Sequence, residues 1–428
     1  MPRFLQVLLL PLLCLIALST AAGPRVPDGF VTTRGRNFVL DNKPFAFVGA
    51  NSYWLPLLIT NEDVEATFQE MENAGVKVLR TWGFNAINGS ELAGALESGL
   101  TYYQVWNSSE WVLNDGPQGL ERLDNVINVA GKHGIKVILA FTNNWVGYGG
   151  SELYINWIAG AYQTHDIFYS DPHIIASYQR YVKVIVERYK DSPNIFAWEL
   201  MNEARCLGDL PGGPNCVPTS GLISSWYKQQ ADFVRSLDPF HMITTGGEGQ
   251  FNWKKPKQYW YNGSLVSDYN YNGQAGENFD FDLALDNIDF GTYHMYPQSW
   301  YPELDTPGSN FTIQQWGLGW ISEHSNVARK VGKPLVLEEF GISGVDNKTN
   351  IYPAWVDLAL ETGHSGIMPW QWGQLGLTEG NRVIKYADEI LDGASPNDGN
   401  TIYKNQTELW NIFKVAAKAQ NDRTWIMG

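Results

Sequence analysis

The chain has 428 residues, 44% of them hydrophobic and 18% charged, which suits a globular protein with a sizeable core. Its formal net charge is −15 and no basic patch stands out, which argues against nucleic acid and anionic membrane surfaces and leaves neutral polymers open. Aromatic residues reach 14%, with 18 Trp, above ordinary usage, and flat aromatic faces suit the stacking of sugar rings as well as core packing.

Arg3, the apolar run Val7 to Leu18 and the small residues Ser19-Thr20-Ala21-Ala22 form the pattern of a secretory signal peptide, expected over residues 1–22 with cleavage after Ala22 or nearby. The run is shorter than the ~20 residues that a membrane span needs, and no later stretch is long and apolar enough to span. A secreted, extracellular protein is therefore expected. Six Asn-X-Ser/Thr sequons follow, at Asn88, Asn107, Asn262, Asn310, Asn347 and Asn405, which in a eukaryotic secreted protein are glycan acceptors on surface loops. Cys14 leaves with the signal. Cys206 and Cys216 remain and are expected to pair in an oxidising compartment, bracing the turn-rich loop between them.

Phe30 to Val39 and Phe45 to Val48 flank Asp41-Asn42-Lys43-Pro44 and read as a hairpin running into the first core strand, which ends at Gly49-Ala50-Asn51. Thr60 is a candidate N-cap for a helix over 61–73, stopped by Gly75. Strand and helix patterns then alternate. Strands are expected at 77–82, 136–141, 195–201, 241–245, 288–295, 335–339 and 366–370. Helices are expected at 120–132, from Asp171-Pro172 to about 190, and at 220–237, 316–331, 352–363 and 408–419. The Asn-, Gly- and Tyr-rich stretch from Gln250 to Asp282 reads as an inserted loop. Alternation of this kind calls for a parallel sheet with crossover helices, and eight such units point to a (β/α)8 TIM barrel with a short N-terminal hairpin and long βα loops. An open doubly wound sheet is the rival, but Gly49-Ala50-Asn51-Ser52-Tyr53-Trp54 offers no phosphate loop after the first strand. No linker or internal repeat divides residues 23–428, so one catalytic domain is expected.

Two short stretches carry the chemistry. Ile195 to Cys206 reads I-F-A-W-E-L-M-N-E-A-R-C, and Leu335 to Gly341 reads L-V-L-E-E-F-G. Each is an apolar run ending in carboxylates, and C-terminal strand ends line the active site of a barrel. Glu203 and Glu339 would face each other across its mouth. Retaining glycoside hydrolysis needs two such carboxyl groups about 5–5.5 Å apart, an acid/base and a nucleophile. The acid should have a raised pKa and the nucleophile a depressed one, giving a bell-shaped rate profile on the acidic side. Neighbouring strand residues point to opposite faces, so Glu338 is expected to face away and serve structure. No Cys/His cluster or His-Glu-x-x-His occurs, so neither a metal nor a cofactor is expected.

Trp198-Glu-Leu-Met-Asn202-Glu203 and Leu337-Glu-Glu339-Phe340-Gly341 resemble the acid/base and nucleophile signatures of glycoside hydrolase family 5, closest to its fungal and plant endo-β-1,4-mannanases. Arg80-Thr81-Trp82, Asn143-Asn144-Trp145 with Tyr148-Gly149-Gly150, Asn202 to Cys206, His294-Met295-Tyr296, Trp370-Gln371-Trp372 and Asp398 to Tyr403 match in the same order. The resemblance implies Glu203 as acid/base and Glu339 as nucleophile, which the family places directly before an aromatic residue. It implies a substrate-binding set of Arg80, Trp82, Trp145, Asn202, Arg205, His294, Tyr296 and Trp370. Within that set, Arg80 would bind and ionise the nucleophile, and Asn202 would hold the sugar 2-hydroxyl. Tyr296 would donate to Glu339, and His294 would orient the sugar or a carboxylate. Trp370 would form the platform under the sugar, Trp145 and Tyr148 would line the cleft, and Arg205 would serve its leaving-group side. Met201 and Ala204 stand where many relatives have Ala and Pro. The expected activity is retaining hydrolysis of internal β-1,4-mannosidic bonds in mannan, galactomannan or glucomannan, by a monomer. A β-glucanase of the same family and a catalytically silent carbohydrate-binding relative are the alternatives.

Overall fold

The computed structural model describes residues 25–385 and 387–426. The signal peptide expected over residues 1–22 lies outside them. Eight parallel strands form one sheet: β1 (Phe47–Asn51), β2 (Val78–Trp82), β3 (Lys136–Ala140), β4 (Ile195–Glu199), β5 (Met242–Thr244), β6 (Gly291–Met295), β7 (Leu335–Phe340) and β8 (Gly366–Ile367). Their order is β5-β4-β3-β2-β1-β8-β7-β6. The seam between β5 and β6 is closed mainly by side chains: Ile243 N–H donates to Asp289 Oδ2 at 2.7 Å, and Thr244 Oγ1 meets Thr292 Oγ1 at 3.1 Å. The result is the expected barrel.

Among its helices are α1 (Asn61–Ala74), α2 (Leu120–Lys132), α3 (Pro172–Tyr189), α4 (Leu222–Leu237), the single turn α5 (Phe279–Asp282), α6 (Ile313–Val331), α7 (Val345–Glu361) and α8 (Thr407–Asn421), with shorter ones at Leu92–Ser98, Ser151–Ile158 and Pro297–Trp300. Local chemistry sets their ends. Thr60 accepts the Asp63 N–H at 3.3 Å to open α1, and Gly75 closes it in the left-handed region at φ 85°. Asp171 accepts from His173 and Ile174 to open α3, with Pro172 in its first turn. Among the described residues no helix is long and apolar enough to cross a membrane.

Three expectations need correction. The segment expected as one strand over 30–39 turns back at Gly35, giving a three-stranded sheet of Thr32–Arg34, Asn37–Leu40 and Lys43–Phe45. Helix α7 starts seven residues before Tyr352 and carries Pro353 inside it. The insert 250–282 is not plain loop: it holds a hairpin of Gln258–Tyr261 and Ser264–Ser267 before α5. All six sequon asparagines are exposed, five at turns, loops or strand ends and Asn347 in the first turn of α7.

The core has two zones. At the N-terminal end of the barrel Phe38, Phe47, Phe196 and Phe290 pack edge to face or stacked and seal it. Apolar side chains fill the space between strands and helices. The C-terminal end is left polar, and there the site is built.

Candidate active site

Arg80, near the end of β2, organises that end. Its guanidinium is fully buried and uses all five N–H donors. Nε and Nη2 grip Glu199 at 2.7 Å each, Nη2 also bonds Asn202 Oδ1 at 2.7 Å, Nη1 bonds Asn51 Oδ1 at 3.1 Å, and Nη1 pairs with Glu339. Glu199, two residues from the end of the predicted strand, was not anticipated. Its only sequence signal is a carboxylate four positions before Glu203.

Glu203 lies four residues past the end of β4, on backbone anchored by Glu203 N–H to Gly246 O at 2.8 Å. It sits at φ 56°, a left-handed conformation that costs a non-glycine residue energy and recurs where geometry serves function. Trp145 Nε1 donates to Glu203 Oε2 at 2.5 Å, and His294 Nδ1 meets Oε1 at 2.8 Å. Tyr296 O–H donates to Glu339 Oε2 at 2.5 Å. Ligand atoms of Glu203, His294 and Glu339 all lie within 4.8 Å of one another, so the two carboxylates face each other closely. That trio is also where a metal could be held, but His294 spends both nitrogens on carboxylates instead.

Glu338 does not turn away as strand alternation predicts. Pairing jumps from Tyr293 with Leu337 to His294 with Glu339, so Glu338 is the extra residue of a bulge. Its Oε2 lies 3.3 Å from His294 Nε2 and 3.7 Å from Arg80 Nε, fully buried beneath the other two acids.

The cleft above has a volume of about 490 Å³. Trp82, Trp145, Asn202, Glu203, Arg205, Tyr296, Glu339 and Trp370 line it, as expected, together with Tyr148. Arg80 and His294, expected among the substrate contacts, do not line it: both are fully buried one layer down and reach the cleft only through the carboxylates. Tyr53, Glu248, Trp300 and Asp398 line it unannounced. Tyr53 stacks on Trp370 with centroids 5.6 Å apart and planes 6° apart, and Asp398 accepts the Trp370 indole N–H at 2.6 Å, so the platform is fixed from two sides. Glu248 forms a two-pronged ion pair with Arg205, whose guanidinium lies 5.5 Å over the Trp145 ring. Glu248 follows a strand end within Gly246-Gly247-Glu248-Gly249, the same signal that marked Glu203 and Glu339. Trp372 is core, packed on Trp410 at 4.2 Å. Cys206 and Cys216 are joined, and the Cys206 N–H also donates to Ala275 O at 2.7 Å, tying the loop after Glu203 to the insert.

The electrostatics run opposite to the expectation for an isolated acid and nucleophile. Burial pushes Glu203 up, but the His294 hydrogen bond and charge, the Arg205 charge and the Trp145 hydrogen bond outweigh it and hold Glu203 at about 2. Burial raises Glu339, and Glu203 adds to this against the pull of His294 and Arg80. Burial opposes the charge on His294, yet the carboxylates of Glu339, Glu203 and Glu338 raise its pKa well above the usual value. These shifts favour a protonated His294 beside an ionised Glu203, one hydrogen bond apart.

A barrel with two facing carboxylates in an aromatic cleft defines a class, that of enzymes cutting glycosidic bonds between paired acids. A family model described as GH family 5 beta-mannosidase-like matches residues 28–357, and the chain belongs to that family of glycoside hydrolases. It is 37% identical over 386 residues to the probable mannan endo-1,4-beta-mannosidase A-1 of Aspergillus terreus, covering 89% of this chain and 86% of that one. It is 35% identical over 408 residues to mannan endo-1,4-beta-mannosidase A of Aspergillus aculeatus, covering 93% and 94%. Among solved structures, the endo-1,4-beta-mannanase from Rhizomucor miehei superposes with a TM-score of 0.77 at 32% identity, covering 92% of this chain and all of that one.

Proposed function

We propose that the protein is a secreted, retaining endo-β-1,4-mannanase acting as a monomer on mannan, galactomannan or glucomannan. The observation that carries the retaining mechanism is the spacing: Glu203 and Glu339 come within 4.8 Å, whereas inversion leaves room for a water at roughly 6.5–9.5 Å. Glu339 attacks the anomeric carbon, helped by Tyr296 and Arg80, which hold its oxygens in place. Glu203 protonates the leaving oxygen, its proton supplied by His294 across the 2.8 Å hydrogen bond. The first proton leaves with the released sugar, and Glu203 then takes a new one from the attacking water. Trp370, fixed by Tyr53 and Asp398, stacks under the sugar at the cleavage point. Asn202, held by Arg80 and by Asn143 Oδ1 at 2.9 Å, presents its amide to the 2-hydroxyl. The names of the relatives support β-mannan as substrate, and the N-terminal leader in the sequence supports secretion. No cofactor enters the scheme.

The test is hydrolysis of mannohexaose beside cellohexaose. The expected outcome is rapid internal cleavage of mannohexaose with retained anomeric configuration, lowered at least about 10³-fold in Glu339→Ala. Faster turnover of cellohexaose would make the protein a β-glucanase. Equal inactivity of wild type and variant, with both binding mannan, would make it a carbohydrate-binding protein.

A further inference from the structure

A second cluster of charge lies at the opposite end of the barrel, where the cleft has no part. The N-terminal hairpin that seals this end turns at Arg34-Gly35-Arg36, with Gly35 in the left-handed region at φ 57°. After α8 the chain returns to the same place. Asn37 clips it there: its Nδ2 donates to Ile426 O at 3.1 Å, and its Oδ1 accepts the Ile426 N–H at 2.8 Å. This seats Trp425 beneath the Arg34 guanidinium, 5.0 Å from the ring centre. Arg329, from the last turn of α6, forms the remaining wall. Between them is a cavity of about 430 Å³.

The arginines here are not matched by acids. Arg36 is only 8% exposed, yet its one hydrogen bond among the described residues runs from Nη2 to Thr362 O at 2.8 Å. Among the described residues Nε and Nη1 have no hydrogen-bond acceptor, and neither Arg34, Arg36 nor Arg329 forms an ion pair with a described carboxylate. Burial and the nearby Arg329 charge both lower the pKa of Arg36, and burial and Arg36 lower that of Arg423. The buried arginines of the active site behave differently: Arg80 and Arg205 each meet carboxylates. The two free nitrogens of Arg36 are not sealed from solvent, so both are open to a ligand from outside. In a chain of net charge −15, arginines grouped around a cavity and paired with no described carboxylate mark a place for an anion.

We propose that this cavity binds an oxoanion, a phosphate or a carboxylate, gripped by the free donors of Arg36 and flanked by Arg34 and Arg329. The planar guanidinium fork fits two oxygens of either group. Inorganic phosphate and the carboxylate of a uronic acid carry this same chemistry. Because the site is at the far end of the barrel from the cleft, a bound anion stabilises the fold by mass action and leaves turnover unchanged.

Thermal unfolding of the full-length protein, at constant ionic strength set with chloride, tests this. The probes are inorganic phosphate and galacturonate, with galactose as the neutral control. The expected result is a saturable rise in Tm with phosphate, galacturonate or both, and none with galactose. In Arg329→Ala the half-saturating concentration should rise at least tenfold with mannan hydrolysis unchanged. Arg329 is exposed, so that variant keeps its fold; Arg36→Gln should abolish the response. A response to phosphate alone assigns a free oxoanion site, and a response to galacturonate assigns a carboxylated sugar. A response that never saturates, or one identical in wild type and Arg329→Ala, overturns the proposal.

Discussion

His294 is fully buried and spends each ring nitrogen on a carboxylate, Nδ1 on Glu203 and Nε2 on Glu338. It holds the proton that Glu203 must deliver, so two limbs of the pH profile follow. On the acidic side activity falls as Glu339, raised above 4.5, takes up a proton and stops being a nucleophile. On the basic side it falls as the shared proton leaves His294, whose pKa is raised well above 6.5. The profile should thus extend further toward neutrality than a bare pair of glutamates would allow. In His294→Gln the proton has only Glu203 to sit on, so the basic limb of kcat/KM should move to lower pH, with a loss of kcat of up to about 10²-fold. Measuring both limbs checks this: a variant with lower kcat and an unmoved basic limb would leave His294 a mere packing residue.

At the scale of elements, the loop after β4 decides the leaving-group side of the cleft. It carries Arg205, is cross-linked at Cys206–Cys216, and bonds to Ala275 of the insert. Cys206→Ser should lower stability by about 3 kcal/mol, the loop-entropy value for a bridge of this length. It should also raise KM while kcat stays near wild type, because Arg205 loses its neighbouring support and Glu203 keeps its own anchors. Unfolding curves and steady-state kinetics on mannohexaose measure the two effects. This part of the chain also shows what a sequence reveals. Glu203 and Glu339 were legible because apolar runs ending in acids mark barrel strands. Glu338 was misplaced because a bulge is a matter of pairing with β6, which neither strand encodes alone. Arg80 and His294 were found but set at the wrong depth, since burial depends on how strands stagger. The start of α7 was hidden by Pro353, which reads as a helix breaker yet sits within it.

Over the whole molecule, buried ionisable groups set the pH range of stability. Burial depresses His165 to about 4 and His324 and His364 to about 3, so the unfolded chain binds protons more readily below about 6.5 and stability falls with pH there. Glu203 and Asp238, both held at about 2, extend this loss below about pH 4.5. Glu277 and Asp282 act in the other direction: burial raises them to about 8 and about 7, so the folded state binds the extra protons and stability falls as pH rises from about 4.5 to those values. Tm measured against pH should therefore drop most steeply below about 4.5, where the histidines, Glu203 and Asp238 act together. A Tm that held level from about pH 6 down to about pH 3 would contradict these assignments. The five donors of Arg80 bear on the same whole. They reach Asn51 on β1, Glu199 on β4, Asn202 beyond it and Glu339 on β7, from a side chain on β2. A barrel lacking β7 would leave this cation without Glu339, and Glu339 without its cation. The reacting pair therefore needs β4 and β7 both in place, so competence belongs to the closed barrel rather than to either half.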